Sequence, residues 1–363
     1  MAFVLAGCGG DDDETGEPGA SSSGSASPTA SASTAEESTD ADTAPDDGDA
    51  AEAGESSTDQ EAPDDEGADE AGAGGGDAVI GSDAVIVDLG DLLWDLAILD
   101  IPVAGNIYGA DFLAEQIVDV EGIEPEVLDR ILEAPIVTSD GVDVELIATI
   151  DPDVILTTAF FGMFYETPAE LDQVSPVVTI DDLTVDWRER SLAVAELAGR
   201  TDDMQARIDA ADAAVAALAD RVAAAGLDGR TVSFVRSIGD GQFTTFARES
   251  TPFQVIEAVG LAAPEAIDVE QGDDSPFPFY AAQRFLSLEL APDVEADVVF
   301  VGFVPEGGDP AAALPGAESL IPALSDGRAL DVNYFLWALN SVVGVEEIVE
   351  DLERAVALLE ERG

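Results

Sequence analysis

The stretch WRERSLAVAELAGRTDDMQARIDAADAAVAALADRVAAA, residues 187–225, decides the fold. It is rich in Ala, and its apolar residues recur at spacings of three and four: Leu192, Ala195 and Leu197, then Ile208, Ala211, Val215, Leu218 and Val222. That period places them on one face of a long helix. Gly199-Arg200-Thr201-Asp202 marks a joint within it, with Thr201 expected as N-cap of the second segment.

On either side of this helix, short apolar runs alternate with helical patterns. Before it, strands are expected at Ala84–Val87, Ile101–Ala104, Val154–Thr157 and Pro176–Ile180, with helices at Leu92–Leu96, Asp143–Ala148 and Leu171–Val174. After it come a strand at Thr231–Arg236, helices at Pro252–Val259 and Leu286–Leu290, a strand at Val298–Val301 and a terminal helix from Val345 to Glu361. Alternation of this kind predicts parallel α/β sheets. The expected fold class is α/β: two Rossmann-like lobes, residues 79–186 and 227–363, joined by a single long helix over 187–226 and preceded by a disordered acidic tether.

Of the 363 residues 46% are hydrophobic, enough for two ordinary cores. The 78 Asp and Glu face 13 basic residues, all of them Arg; there is no Lys and no His. A net charge of −65 repels phosphates, so nucleic acid is not an expected partner. Lack of imidazole excludes Ser-His-Asp hydrolysis, His general-base catalysis and His-ligated zinc. Ser-Lys chemistry and a G-x-S-x-G elbow are also missing, so an enzyme is not expected. The acid excess suits a high-salt habitat, where screening offsets the repulsion, and equally suits compositional drift.

The one cysteine, Cys8, rules out an intrachain disulfide. Leu5-Ala6-Gly7-Cys8 is similar to a bacterial lipobox, which implies a remnant signal over residues 1–8 ending at a lipidated Cys8. Only seven residues precede Cys8, without a basic n-region, so the natural start is expected further upstream. Residues 9–78 hold 22 acids and no Arg among mostly Ser, Thr, Ala, Gly and Pro; such a segment buries too little to fold and serves as an extended tether. The folded part keeps 56 acids against 13 Arg, a net charge of about −43.

Four segments carry a family resemblance. They are Glu145 to Leu156 with its Asp151-Pro152-Asp153 turn; Arg236-Ser237 through Thr251-Pro252 to Pro264; Ser287-Leu288-Glu289 through Glu295 to Phe300; and Ile321-Pro322-Ala323-Leu324 through Leu336-Trp337. In this order they resemble the iron-siderophore and cobalamin class of ABC-transporter periplasmic binding proteins, over residues 79–363. The resemblance implies two lobes joined by one rigid helix, a ferric siderophore as ligand, and ABC permease subunits as partners. It also implies docking through one acid on each lobe, here Glu145 and Glu289. No cofactor is expected beyond ferric iron inside the bound siderophore, and the chain is expected to be a monomer on the outer face of the cytoplasmic membrane.

Ligands of α/β lobes sit at the carboxyl ends of strands. The candidate ligand-binding residues are therefore Arg236, Arg248, Phe160, Phe161, Phe164, Tyr165, Tyr108, Tyr280, Phe303 and Trp337. Arg forks suit the oxygens of an anionic chelate, and aromatics pack its organic shell. Heme or cobalamin on the same fold is the nearest alternative; heme needs an axial Tyr here, since no His exists. A sensory module or a carboxylate-pair glycosidase belongs to another class.

Overall fold

Three parallel strands with mostly β-branched or apolar side chains open the first lobe: β1 (Ile86–Asp88), β2 (Val154–Thr158) and β3 (Val177–Ile180), in the order β1-β2-β3. Ile86 pairs with Val154 and Ile155 with Val177. β1 and β2 are buried throughout, as parallel strands between helical layers are. Around them lie α1 (Leu93–Ala97), α2 (Ala110–Gln116), α3 (Pro125–Glu133), α4 (Val144–Ile150), α5 (Ala159–Phe164) and α6 (Leu171–Val174). The computed structural model describes residues 80–363 apart from 82, 117–119, 140, 165–167, 240, 269–282 and 305–307. The tether, Cys8, Tyr165 and Tyr280 lie outside the described residues.

Local chemistry accounts for α4. Asp143 caps it by accepting from the Leu146 amide at 2.9 Å, and it stops at Asp151, whose φ of 56° is left-handed. Pro152 then prevents resumption before β2. The expected strand at Ile101–Ala104 does not form. Its contact with the sheet is reduced to the Ala104 amide on the Ile86 carbonyl at 2.7 Å and a bridge from Gly105 to Val87; Pro102 withholds the donor a fuller ladder needs.

The second lobe contains β4 (Val232–Gly239), β5 (Gln242–Phe246), β6 (Gln283–Ser287), β7 (Val298–Gly302) and β8 (Ala329–Val332), ordered β6-β5-β4-β7-β8. β4, β7 and β8 are parallel, whereas β5 and β6 are antiparallel additions turning at Gly239 and Gly241. The helix expected at Leu286–Leu290 is therefore corrected. Leu286 and Ser287 finish β6, and a 3-10 turn over Leu288–Val294 follows, with Pro292 inside it barring a regular helix.

The joint at Gly199 is real. α7 (Trp187–Leu197) ends there, and Gly199 takes φ 64°, favourable only without a Cβ. α8 (Thr201–Ala225) then runs 25 residues, about 37 Å at the usual rise. Thr201 is the first helical residue, and Arg200 occupies the cap without a side-chain bond. At its start α8 is tied to the first lobe by Arg200 on the Leu99 carbonyl and Arg207 on the Glu121 carbonyl, both 2.8 Å. Further along, Arg207 pairs with Glu346 at 2.6 Å and Arg221 with Glu360 at 2.7 Å in the second lobe. α9 (Thr251–Ala258), α10 (Tyr334–Trp337) and α11 (Val342–Arg362) complete this side. One apolar core runs through both lobes, from Trp94 and Ile131 across Met204, Ile208 and Leu218 of α8 to Phe234, Ile348 and Leu352.

On α7, Arg190 is 1% exposed and forms ion pairs with Asp95 at 2.5 Å and Asp91 at 2.6 Å. Ser191 donates to the other Asp95 oxygen at 2.6 Å and accepts from the Val342 amide at 3.0 Å. Changing Arg190 to Met is expected to destabilise the fold by about 3–5 kcal/mol in urea unfolding, because Asp95 stays buried without its counter-ion.

Two other buried acids set a pH dependence. Asp88 accepts from the Gly90 amide at 2.9 Å and the Leu93 amide at 2.8 Å, yet burial lifts its pKa to about 7. Burial lifts Asp351 to about 6 despite bonds from Trp337 and Arg354. Both lie above the carboxylate value of 3.8, so the folded state holds more protons than the unfolded chain between roughly pH 4 and 7. Stability is expected to fall by on the order of 2 kcal/mol or more from pH 5 to pH 8. The Asp351→Asn variant, followed by urea titration at both pH values, should show a shallower decline.

Candidate functional site

The carboxyl ends of β4, β7 and β8 converge on one cation. Arg236 lies near the end of β4; Phe303 directly follows β7; Tyr334 opens α10 after β8. The Arg236 guanidinium carbon sits 4.0 Å from the Tyr334 ring centre and 5.3 Å from that of Phe303, within cation–π range. Its Nε is buried and without a hydrogen-bond partner among the described residues. Among the described residues, ten of the 13 arginines form ion pairs with Asp or Glu, and Arg236 is not one of them. Among the described residues this half-buried guanidinium is held by rings and not by a carboxylate.

Phe303 combines 46% exposure with a left-handed φ of 61°. A bulky residue rarely takes that conformation, and where it occurs the surroundings hold it for a reason. Here Tyr334 at 5.0 Å and Phe335 at 5.1 Å flank the ring. Tyr334 is itself fixed by a hydrogen bond from Gln283 to its hydroxyl at 2.6 Å.

The first lobe meets this group through aromatics. Tyr108 stacks on Phe112 at 5.1 Å, and Phe112 stands edge-on to Phe335 at 4.5 Å. Asn106 orients the Tyr108 backbone by accepting its amide at 2.7 Å. Burial, then the nearby Asp91 and Asp88, hold the Tyr108 phenol well above its ordinary pKa, so it stays a neutral donor. At the end of β3, Asp182 accepts from the Phe160 amide at 2.9 Å and so seats the start of α5. Gly90 follows β1 so closely that a Cβ there would lie 2.6 Å from the Thr158 side chain.

Arg236, Phe303 and Tyr108 thus come together, and Phe160 stands at the first-lobe strand ends. Others among the sequence candidates do not join them. Trp337 is fully buried, donates to Asp351 at 2.7 Å and packs on Phe300 at 4.7 Å, so it is core. Phe161 is 4% exposed and packs with Val87, Leu89 and Ile155 inside the first lobe, because helical spacing turns it away from its neighbour. Arg248 follows β5, which runs antiparallel to β4; it sits at the other end of the sheet, paired with Glu257 and with Asp268 at 2.7 Å. Phe164 ends α5, and its side chain is outside the described set. Phe112 and Phe335 are the residues that sequence reasoning missed; Phe112 lies four residues beyond Tyr108, in the first turn of α2.

Glu145, in the first turn of α4, and Glu289, in the 3-10 turn after β6, are both exposed and form no ion pair among the described residues. Arg236→Gln is expected to change unfolding free energy by less than about 1 kcal/mol, since only ring contacts are lost. Measured beside the Arg190 variant in urea, it separates a cation kept for structure from one that is not.

A family model described as periplasmic binding protein matches residues 121–275. Among solved structures, the chain resembles the FhuD protein of S. pseudintermedius at 17% identity and a TM-score of 0.57, covering 75% of this chain and 91% of that one. It resembles an FhuD fold-family periplasmic binding protein of Bacillus subtilis at 19% identity and 0.58, covering 77% and 97%. FhuD2 of Staphylococcus aureus with bound ferrioxamine B matches at 17% identity and 0.58, covering 76% and 99%. No curated protein matches the chain. The family match covers residues 121–275, less than half of the chain, and the solved structures share its two-lobed architecture with a helix between the lobes, so the chain has a fold similar to that of the FhuD-type periplasmic binding proteins.

Proposed function

We propose that this chain is the solute-binding component of an ABC importer, capturing a ferric siderophore between its lobes and handing it to a membrane permease. The observation that carries the reading is Arg236, a cation with no carboxylate partner among the described residues, held over Tyr334 and beside the exposed Phe303, with Tyr108 and Phe112 on the facing lobe. A ferric chelate offers two matching surfaces: anionic or carbonyl oxygens around the metal for the guanidinium, and an organic shell for the rings. The partial family match and the shared fold support the transport role, and the similar B. subtilis protein is described as part of a Fep/Fec-like ferrichrome ABC transporter.

Glu145 and Glu289 are the proposed docking acids, one per lobe and each without a counter-ion among the described residues. Cys8 is the proposed lipid anchor, with residues 9–78 spanning from membrane to domain. No helix among the described residues is long and apolar enough to cross a membrane, so this reading places attachment at the lipid.

Trp94 lies 6.4 Å from Tyr108, and Trp337 lies 5.7 Å from Phe234, so indole emission reports on the aromatic wall. Titration of the protein in high salt with a ferric hydroxamate, a ferric catecholate, hemin and cobalamin is expected to give saturable quenching by one ferric siderophore at submicromolar concentration. Arg236→Gln should weaken that binding by about tenfold or more, the loss of one charged hydrogen-bonding partner. Quenching by hemin or cobalamin alone, or by none of the four, overturns the siderophore reading.

A further inference from the structure

Asn340 lies between α10 and α11, close to where the lobes meet. Its Nδ2 donates to the Val185 carbonyl at 3.0 Å and the Asp182 carbonyl at 3.3 Å, both in the turn leading from β3 of the first lobe into α7. Its Oδ1 accepts from the Thr251 hydroxyl at 2.8 Å, at the start of α9 in the second lobe. One amide thus satisfies two backbone carbonyls of one lobe and a side chain of the other. Only Asn or Gln offers donors and an acceptor on one planar group, and Asn has the shorter reach.

Both ends of this link lead to the candidate site. Asp182, whose carbonyl Asn340 holds, uses its carboxylate to seat the Phe160 amide at 2.9 Å. On the other side α10, three residues before Asn340, carries Tyr334 and Phe335. Phe335 touches Phe112 across the lobes at 4.5 Å, and Tyr334 holds Arg236. Two residues later, the Val342 amide bonds Ser191 at 3.0 Å. The loop over 338–342 is therefore the place where the aromatic wall of the second lobe is referenced to the first.

We propose that Asn340 is a positioning residue that sets the separation of the two walls, and with it the affinity of the site. This rests on the ligand reading above, but its geometric half does not require any ligand. Without the amide, α10 loses its register against the 181–186 turn, and Arg236 and Phe303 shift relative to Phe160 and Tyr108.

The test uses the full chain with Cys8→Ser, which removes the only thiol, and spin labels on Asp129→Cys in α3 and Ala312→Cys in the second lobe, both exposed. The parent protein is expected to give one narrow interlabel distance. Asn340→Ala and Thr251→Val should each shift or broaden it while far-UV circular dichroism stays unchanged, and should weaken ferrioxamine B binding by about tenfold, as loss of interlobe hydrogen bonds of this strength predicts. Thr251→Val removes one methyl-sized donor and decides the matter if Asn340→Ala does not fold. Asn340→Asp should be worse than Asn340→Ala, since a carboxylate would face two carbonyls; a merely space-filling role predicts the reverse. Unchanged distances in both Asn340→Ala and Thr251→Val overturn the proposal. Absence of ferrioxamine B binding by the parent, with distances that do move, counts against hydroxamate capture and leaves the positioning role standing.

Discussion

A single desolvated guanidinium holds the centre of this molecule. Burying Arg190 is costly by itself, and the cost is met because Asp95 and Asp91 pair with it while Ser191 donates to the other Asp95 oxygen. The consequence reaches beyond the ion pair. Asp91 and Asp95 belong to the segment following β1, Arg190 and Ser191 to α7, and Val342, which bonds Ser191, to the start of α11. The first strand of one lobe, the linking helices and the last helix of the other are thereby fixed to one point. A half-satisfied network of this kind is worse than an apolar core, so the elements are held together or the network fails as a whole.

That constraint explains the character of the joint. A flexible hinge needs few contacts crossing it, whereas here the apolar core passes from lobe to lobe through α8 without interruption. Arginines spaced along α8 reach carbonyls of the first lobe and carboxylates of the second. Stiffness of this sort favours a preformed site over large closure, because rigid packed elements do not deform continuously. It also makes the local link at Asn340 consequential, since small displacements of α10 are not absorbed elsewhere.

Arginine is scarce, and its allocation is informative. Most arginines answer nearby acids, which lowers the self-repulsion of a domain with 56 acids. Among the described residues Arg236 answers no acid, and it is placed at the meeting of three strand ends, where parallel topology directs side chains and loops to one edge. Aromatic rings hold its orientation without neutralising it, so its charge remains available. The strained, exposed Phe303 beside it fits the general pattern that unfavourable backbone persists where function requires it.

Much of the architecture was legible in the primary structure because it depends on local periodicity. The α7–α8 stretch, the Asp151-Pro152 stop, the buried runs of β1, β2, β4 and β7 and the acidic character all follow from neighbours within a few residues. What escaped were β5, β6 and β8, whose strand state depends on partners far along the chain, and the failure of Ile101–Ala104, where Pro102 denies the ladder. Among the site candidates, strand-end logic picked out Arg236, Phe303 and Tyr108, which the fold brings near one another, but it had no means of distinguishing an exposed ring from a buried one. Trp337 and Phe161 are apolar residues after strands just as Phe303 is, and only packing turned them inward. The charge balance and the helix that joins the lobes were decided by sequence alone; which arginine is held by rings, which aromatics face one another across the lobes and how Asn340 spans them were decided by tertiary structure, because each depends on distances between residues dozens to hundreds of positions apart.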